Sequence, residues 1–143
     1  MQQPWFNYQI RVHPHHTDYA GVVWHGTYLA WMEEARVECL RSVGIDFATL
    51  VAMDCDLPVV GLELRYLRGV SMGAEVVVRS RLAEIKGIRI YFQQQIEAVT
   101  TSELLVRARV ELVPLNRSLN RVLRKLPPPL QTAIEHLSQS SAI

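Results

Sequence analysis

His13-Pro-His-His-Thr-Asp18-Tyr-Ala-Gly21-Val-Val-Trp24-His25-Gly-Thr-Tyr28-Leu-Ala-Trp31-Met-Glu-Glu-Ala35-Arg36 is the stretch on which the reading of this chain turns. Before it, Phe6, Tyr8, Ile10 and Val12 alternate with Asn7, Gln9 and Arg11, the period of a half-buried strand. Pro14 ends that strand by removing an N–H and fixing φ. Beyond it, Tyr28, Met32, Ala35, Cys39 and Val43 recur at helical spacing, with Trp31 and Leu40 widening the stripe. The spacing predicts a long helix that starts between Trp24 and Thr27 and runs to about Val43, with Gly44 as its C-cap. Asp18 therefore stands in a short loop just before a helix N-terminus, where backbone N–H groups lack intrahelical acceptors. A carboxylate there is a base beside a ring of donors, the arrangement that attack on a carbonyl requires. The plain alternative is an Asx-turn or N-cap aspartate.

Asp46 reads as the N-cap of a short second helix. From Leu57 onward the period changes to two. Val60, Leu62, Leu64 and Tyr66 oppose Glu63, Arg65 and Leu67; Val76, Val78 and Leu82 oppose Glu75, Arg79 and Arg81. Past the turn at Lys86-Gly87, Ile88, Ile90, Phe92 and Ile96 oppose Arg89, Gln93 and Gln95. Past Thr100–Glu103, Val106, Ala108, Val110 and Leu112 oppose Arg107, Arg109 and Glu111. Four strands joined by short turns read as an antiparallel meander with one wet face, and the N-terminal strand adds a fifth. A strand, a long helix and a run of strands make an α+β fold, the helix packed on one face of a single sheet. From Asn116 the chain is a basic tail (Arg117, Arg121, Arg124, Lys125), then Pro127–Pro129 and an amphipathic stretch from Leu130 to Leu137. The expectation is one domain over 1–143, with 116–143 as a basic, proline-containing C-terminal tail and a frayed polar end from Ser138 to Ser141.

A chain of 143 residues buries roughly 68–70% of its unfolded surface and needs no staples. Fifteen basic and 14 acidic residues give a net charge of +1, so any anion site must be a local cluster, and neither nucleic acid nor a membrane is expected as a partner. The N-terminal residues lack the basic and apolar segments of a secretory leader. Cys39 and Cys55 read as reduced thiols, and a cytoplasmic location is expected. His13, His15, His16 and His25 have neither a nearby Cys nor a distal pair, so no metal is expected. Glu33 and Glu34 read as a solvated or subunit-facing helix side, with a catalytic carboxylate on the helix as the rival. Arg65, Arg68, Arg79, Arg81, Arg107 and Arg109 read mostly as the wet sheet face.

Asp18-x-x-Gly21-x-x-x-His25-x-x-Tyr28, followed by Trp31 and Ala35-Arg36, resembles the signature of the hotdog-fold acyl-CoA thioesterases, in their 4-hydroxybenzoyl-CoA thioesterase-like branch. The resemblance implies a hotdog fold, an antiparallel five-stranded sheet wrapped around a long central helix, assembled as a homodimer or homotetramer. It also implies that Asp18 acts on a thioester carbonyl, as nucleophile or as base for water, and that the backbone N–H at His25 binds the oxyanion beside Gly21. Lys86 and Arg89 occupy the stretch where such proteins hold the CoA phosphates, with a thinner cluster here. Trp24 and Tyr28 would line the substrate pocket, against a bland reading as core or interface. The implied substrate is an acyl-CoA, with no cofactor beyond the coenzyme A that the substrate carries. The implied reaction is hydrolysis of an aryl- or acyl-CoA to free acid and CoA. A narrower resemblance, on Thr17-Asp18, Ala20-Gly21-Val22-Val23 and the tail Leu126–Ile134, is to the 1,4-dihydroxy-2-naphthoyl-CoA hydrolases of phylloquinone synthesis. The alternative reading is a non-catalytic acyl-CoA- or acyl-carrier-binding hotdog protein.

Overall fold

The computed structural model describes residues 4–139. Strand β1 (Phe6–Arg11) leads through a 3-10 turn (Pro14–His16) into α1 (His25–Arg41) and the short α2 (Phe47–Ala52). Then come β2 (Cys55–Asp56), β3 (Val59–Tyr66), β4 (Glu75–Lys86), β5 (Arg89–Ala98), β6 (Leu104–Leu112), β7 (Leu115–Asn116), β8 (Arg121–Val122) and α3 (Pro128–Gln139). Helix α1 ends at Arg41 with Ser42 as its cap, two residues before the expected end, and Gly44 closes the turn that follows at φ +93°, a conformation that a Cβ would strain. The Asp46 carboxylate accepts the Thr49 N–H at 2.8 Å and caps α2.

Five strands form one antiparallel sheet in the order β1-β4-β5-β6-β3, with α1 packed on one face, and this is the hotdog arrangement. The expected sequential meander needs a correction, because β3 does not pair with β4. It lies at the far edge beside β6, with Leu62 opposite Val110 and Arg65 opposite Arg107. The connection explains the jump. The N–H groups of Leu67 and Arg68 both go to the Leu105 carbonyl, and the Val70 carbonyl then accepts the Val23 N–H. The chain from Arg68 to Gly73 thus crosses beside the Asp18 loop before joining β4. Alternation identifies a strand and its inward face, but not its neighbour. A second small sheet, β2-β7-β8, lies in segments that read from sequence as a loop and a tail.

The core has two lobes. Tyr28, Trp31, Met32 and Ala35, from the first half of α1, pack on Val76, Val78, Ile96 and Val106. Cys39 and Leu40, from the second half, pack on Leu82, Ile90, Phe92 and Leu112, together with Leu130, Ala133 and Ile134 of α3. The C-terminal stretch is therefore part of the core and not only a solvated tail. Ser138 and Gln139 belong to α3, while Ser140 and Ser141 lie outside the described residues.

Gln94 and Ser80, both fully buried, occupy the inward phase of β5 and β4 between the lobes. The Gln94 amide donates to the Met32 carbonyl at 2.9 Å and to Ser80 Oγ at 2.8 Å. Its Oε1 accepts from Arg36 Nη1 at 2.9 Å. This network ties the middle of α1 to the sheet, and a buried polar group so satisfied is tolerated.

Candidate active site

Asp18 opens a tight hairpin. Its carbonyl accepts the Gly21 N–H at 3.1 Å, and its N–H donates to the Val22 carbonyl at 2.8 Å. Gly21, at φ +81°, sits in the left-handed region that ends such a three-residue loop. The Asx-turn reading is realised, since Asp18 Oδ1 accepts the Ala20 N–H at 2.8 Å. That bond fixes the rotamer and leaves Oδ2 with no protein partner among the described residues. The carboxylate is solvent-exposed, so local anchoring rather than burial orients it.

The His16 carbonyl is the hub that joins this loop to α1. It accepts the Trp24 N–H at 3.0 Å and the Thr27 hydroxyl at 3.0 Å. His16 is itself held, because its Nδ1 accepts the His13 N–H at 2.9 Å. That bond requires a neutral ring at Nδ1, and burial together with the neighbouring His15 and His13 lowers the pKa of His16. The rings of His13, His15 and His16 cluster within 6 Å and the His16 ring meets the edge of Trp31. No group of three or more His, Cys, Asp or Glu among the described residues could hold a metal ion.

Helix α1 starts at His25 with Trp24 as an N-cap that offers no side-chain bond. The Thr27 N–H turns back to the Trp24 carbonyl, while those of His25 and Gly26 have no protein acceptor among the described residues. Gly26 leaves room for the Trp24 ring, which folds over the helix start: a Cβ there would lie 2.1 Å from that half-exposed ring and displace it. Beside it is a cavity of about 280 Å³ lined by Val23, His25, Tyr28, Tyr66, Leu67, Arg68 and Gly69. Tyr28 is buried, which pushes its phenol pKa up, and its ring lies 5.5 Å from that of Tyr66. The Tyr66 hydroxyl donates to the His25 carbonyl at 2.8 Å.

The structure thus brings His25 and Tyr28 into one cavity, with the Trp24 ring 4.8 Å from that of His25. Asp18 and Gly21 are tied to the same helix start but do not line this cavity within the single chain. Tyr66, Leu67 and Arg68 complete it and were not singled out as pocket residues in the sequence. Tyr66, the last inward-phase residue of β3, carries the only available signal, an apolar ring with a polar tip.

Lys86 and Arg89 are elsewhere. They face each other across the β4–β5 turn, next to the lobe that holds the far end of α1. Lys86 Nζ lies 3.7 Å from Glu84, and Arg89 is paired with Glu111. Glu34 accepts the Tyr8 hydroxyl at 3.1 Å and shares a separate groove with Glu33 and Glu38. Arg109, Arg79 and Arg11 pair within the chain with Glu84, Glu97 and Glu75. Cys39 and Cys55 are buried free thiols, and burial pushes Cys39 up to about 11, which makes it inert. No helix among the described residues is long and apolar enough to cross a membrane.

Residues 12–134 match the thioesterase-like superfamily. A protein of Synechocystis sp. whose name marks it as a candidate esterase is 50% identical over 135 residues, covering 94% of this chain and 80% of its own length. The acyl-CoA thioesterase YbgC of Haemophilus influenzae is 29% identical over 113 residues, covering 78% of this chain and 83% of its own. Among solved structures, a 1,4-dihydroxy-2-naphthoyl-CoA thioesterase from Synechocystis superposes with a TM-score of 0.84 at 26% identity, covering 94% of this chain and 98% of that one. A Staphylococcus aureus protein in complex with CoA superposes at 0.88 and shares the fold at 16% identity, over 99% of this chain and 88% of its own. With the signature loop, the wrapped helix and a match over nearly the whole length, the chain belongs to the thioesterase-like superfamily.

Proposed function

We propose that this protein is an acyl-CoA thioesterase in which Asp18 delivers the attack on the thioester carbonyl. The observation that carries the reading is the His16 carbonyl, two residues before Asp18, which accepts the Trp24 N–H and the Thr27 hydroxyl of the α1 start. That hub ties the segment leading into Asp18 to the helix start whose His25 and Gly26 N–H groups are free. A thioester carbonyl is electrophilic and its thiolate leaves well, so one carboxylate and an oxyanion-binding N–H suffice. Asp18 either adds to the carbonyl, expelling CoA thiolate to leave a mixed anhydride that water then hydrolyses to acid and free Asp18, or takes a proton from a water that attacks the carbonyl directly as CoA thiolate departs. Val23, Tyr28, Tyr66 and Trp24 would accept the acyl group.

The cavity of about 280 Å³ is small for an acyl pocket and open, and β3 beside it is an unpaired edge. Val60, Leu62 and Tyr66 of the strand's apolar phase are exposed there, as are the flanking Val59 and Leu67. Antiparallel pairing of this edge with a second copy would bury them and close the site. Such pairing sets the Val59 end of one strand beside the Tyr66 end of the other. On the outer sheet face Arg65 and Arg107 stand directly opposite with no acidic partner among the described residues. That unfavourable pair supports contact with a second dimer, hence a homotetramer. The naphthoyl-CoA relative makes a flat aryl-CoA the first substrate to try, with a role in phylloquinone synthesis and a cytoplasmic location as the matching context. The test is CoA release from naphthoyl-, benzoyl- and straight-chain acyl-CoAs, with the mass in solution measured alongside. Preference for 1,4-dihydroxy-2-naphthoyl-CoA by a tetramer is expected. Preference for fatty acyl chains would remove the pathway, and a monomer active at full rate would remove the closing role of β3.

A further inference from the structure

A second hollow, of about 740 Å³, lies where the C-terminal segment passes the β4–β5 turn. Its cationic lining is Arg124 and Lys125, with Gly87 and Ile88 on one side and Gln131, Thr132 and Glu135 of α3 on the other. We propose that this groove binds the nucleotide end of the acyl-CoA, with Arg124 and Lys125 as the phosphate ligands. The proposal rests on the thioesterase reading and names a subsite for that substrate.

Four observations carry it. Neither cation has an acidic partner among the described residues, whereas Lys86 and Arg89 of the adjacent turn face Glu84 and Glu111. The groove's one carboxylate, Glu135, accepts the Gln131 amide at 3.1 Å, so two cations stand against one engaged anion. The bend that presents them is pinned on both sides: the Leu123 N–H donates to the Pro114 carbonyl at 2.8 Å, and Leu126 packs in the second lobe. A site held in place loses less entropy on binding. Finally, the groove sits at the Arg41 end of α1. The helix has 17 residues, so it spans about 25 Å from His25. Antiparallel pairing of β3 edges exchanges the ends, and carries the groove of one subunit toward His25 of the other. A long flexible thioester arm can then join the two sites.

The experiment compares one acyl group on CoA and on pantetheine, which lacks the nucleotide, in wild type and in the double variant Arg124→Gln/Lys125→Gln. The groove predicts a rise of about tenfold in KM for acyl-CoA, with kcat within about twofold and acyl-pantetheine turnover unchanged. Lys86→Gln/Arg89→Gln should change that KM by less. An unchanged KM for acyl-CoA, or an equal loss on acyl-pantetheine, overturns the assignment. Calorimetry with adenosine 3′,5′-bisphosphate separates the two readings should no thioester be hydrolysed. Binding that the double variant loses upholds the groove without the enzyme, and no binding to wild type rejects it.

Discussion

At its Arg41 end α1 is enclosed. Cys39 and Leu40 meet Phe92, Leu112 and three side chains of α3 that are each at most 1% exposed. At its His25 end the helix has no such cover. Trp24 and Tyr66 are about half exposed, at 51% and 48%, and Leu67, Met72 and the apolar phase of β3 lie open beside them. The same helix thus has a sealed end that secures the fold and an open end that carries free donors and a partial cavity, with the Asp18 loop leading into it. Exposed apolar surface of this extent marks an interaction site. The contrast is what the proposed pairing of β3 with a second copy would account for, since that pairing covers the open end and leaves the sealed end untouched.

Changes at the sealed end should cost stability and spare chemistry. Ile134→Ala removes a fully buried side chain and should lower the unfolding free energy by about 3 kcal/mol with kcat little changed. Denaturant titration beside a turnover assay checks this, and a kcat loss without a stability loss would break the contrast. Gln94→Leu, between the two lobes, would leave Arg36 Nη1 and Ser80 without their buried partner. The expected cost is about 2 kcal/mol, read from the same titration. No loss would mean that the lobes are not tied through this network.

A smaller effect belongs to His16. Its folded pKa lies below the ordinary histidine value of about 6.5, through burial and then His15 and His13, with Glu34 opposing. The unfolded chain therefore takes up the proton first. Stability is unaffected above that value, falls as pH drops from it toward the folded pKa, and stays lowered beneath. Protonation at Nδ1 also removes the acceptor for the His13 N–H, so turnover of the folded enzyme should fall at the lower end of that window, as pH passes through the folded pKa. His16→Asn keeps a polar side chain but no titration and should flatten both acid limbs. Unchanged limbs would assign them to other groups.

Much of this was legible in the sequence. Alternation marked the inward phases of β4, β5 and β6, helical spacing marked the buried stripe of α1, and Asp46 and Gly44 marked helix ends. The Asp18–Gly21 loop was legible because aspartate and glycine have specific backbone roles. The partner of β3 was not, since alternation is the same at a centre and an edge. The pairing of Lys86 was hidden by a bulge between Leu82 and Glu84, which turns Glu84 to the outer face. Gln94 was visible only as a polar residue in an inward phase, and its reason lies in Met32 and Arg36, which are 62 and 58 residues away.

The central claim is that Asp18 performs the attack. Replacing it by asparagine keeps the side-chain oxygen that accepts the Ala20 N–H and removes the charge. Release of CoA from the best substrate should then fall roughly 10²–10⁴-fold, with an unchanged thermal midpoint and unchanged CoA affinity. Turnover within a few-fold of wild type in a folded Asp18→Asn protein would contradict the account.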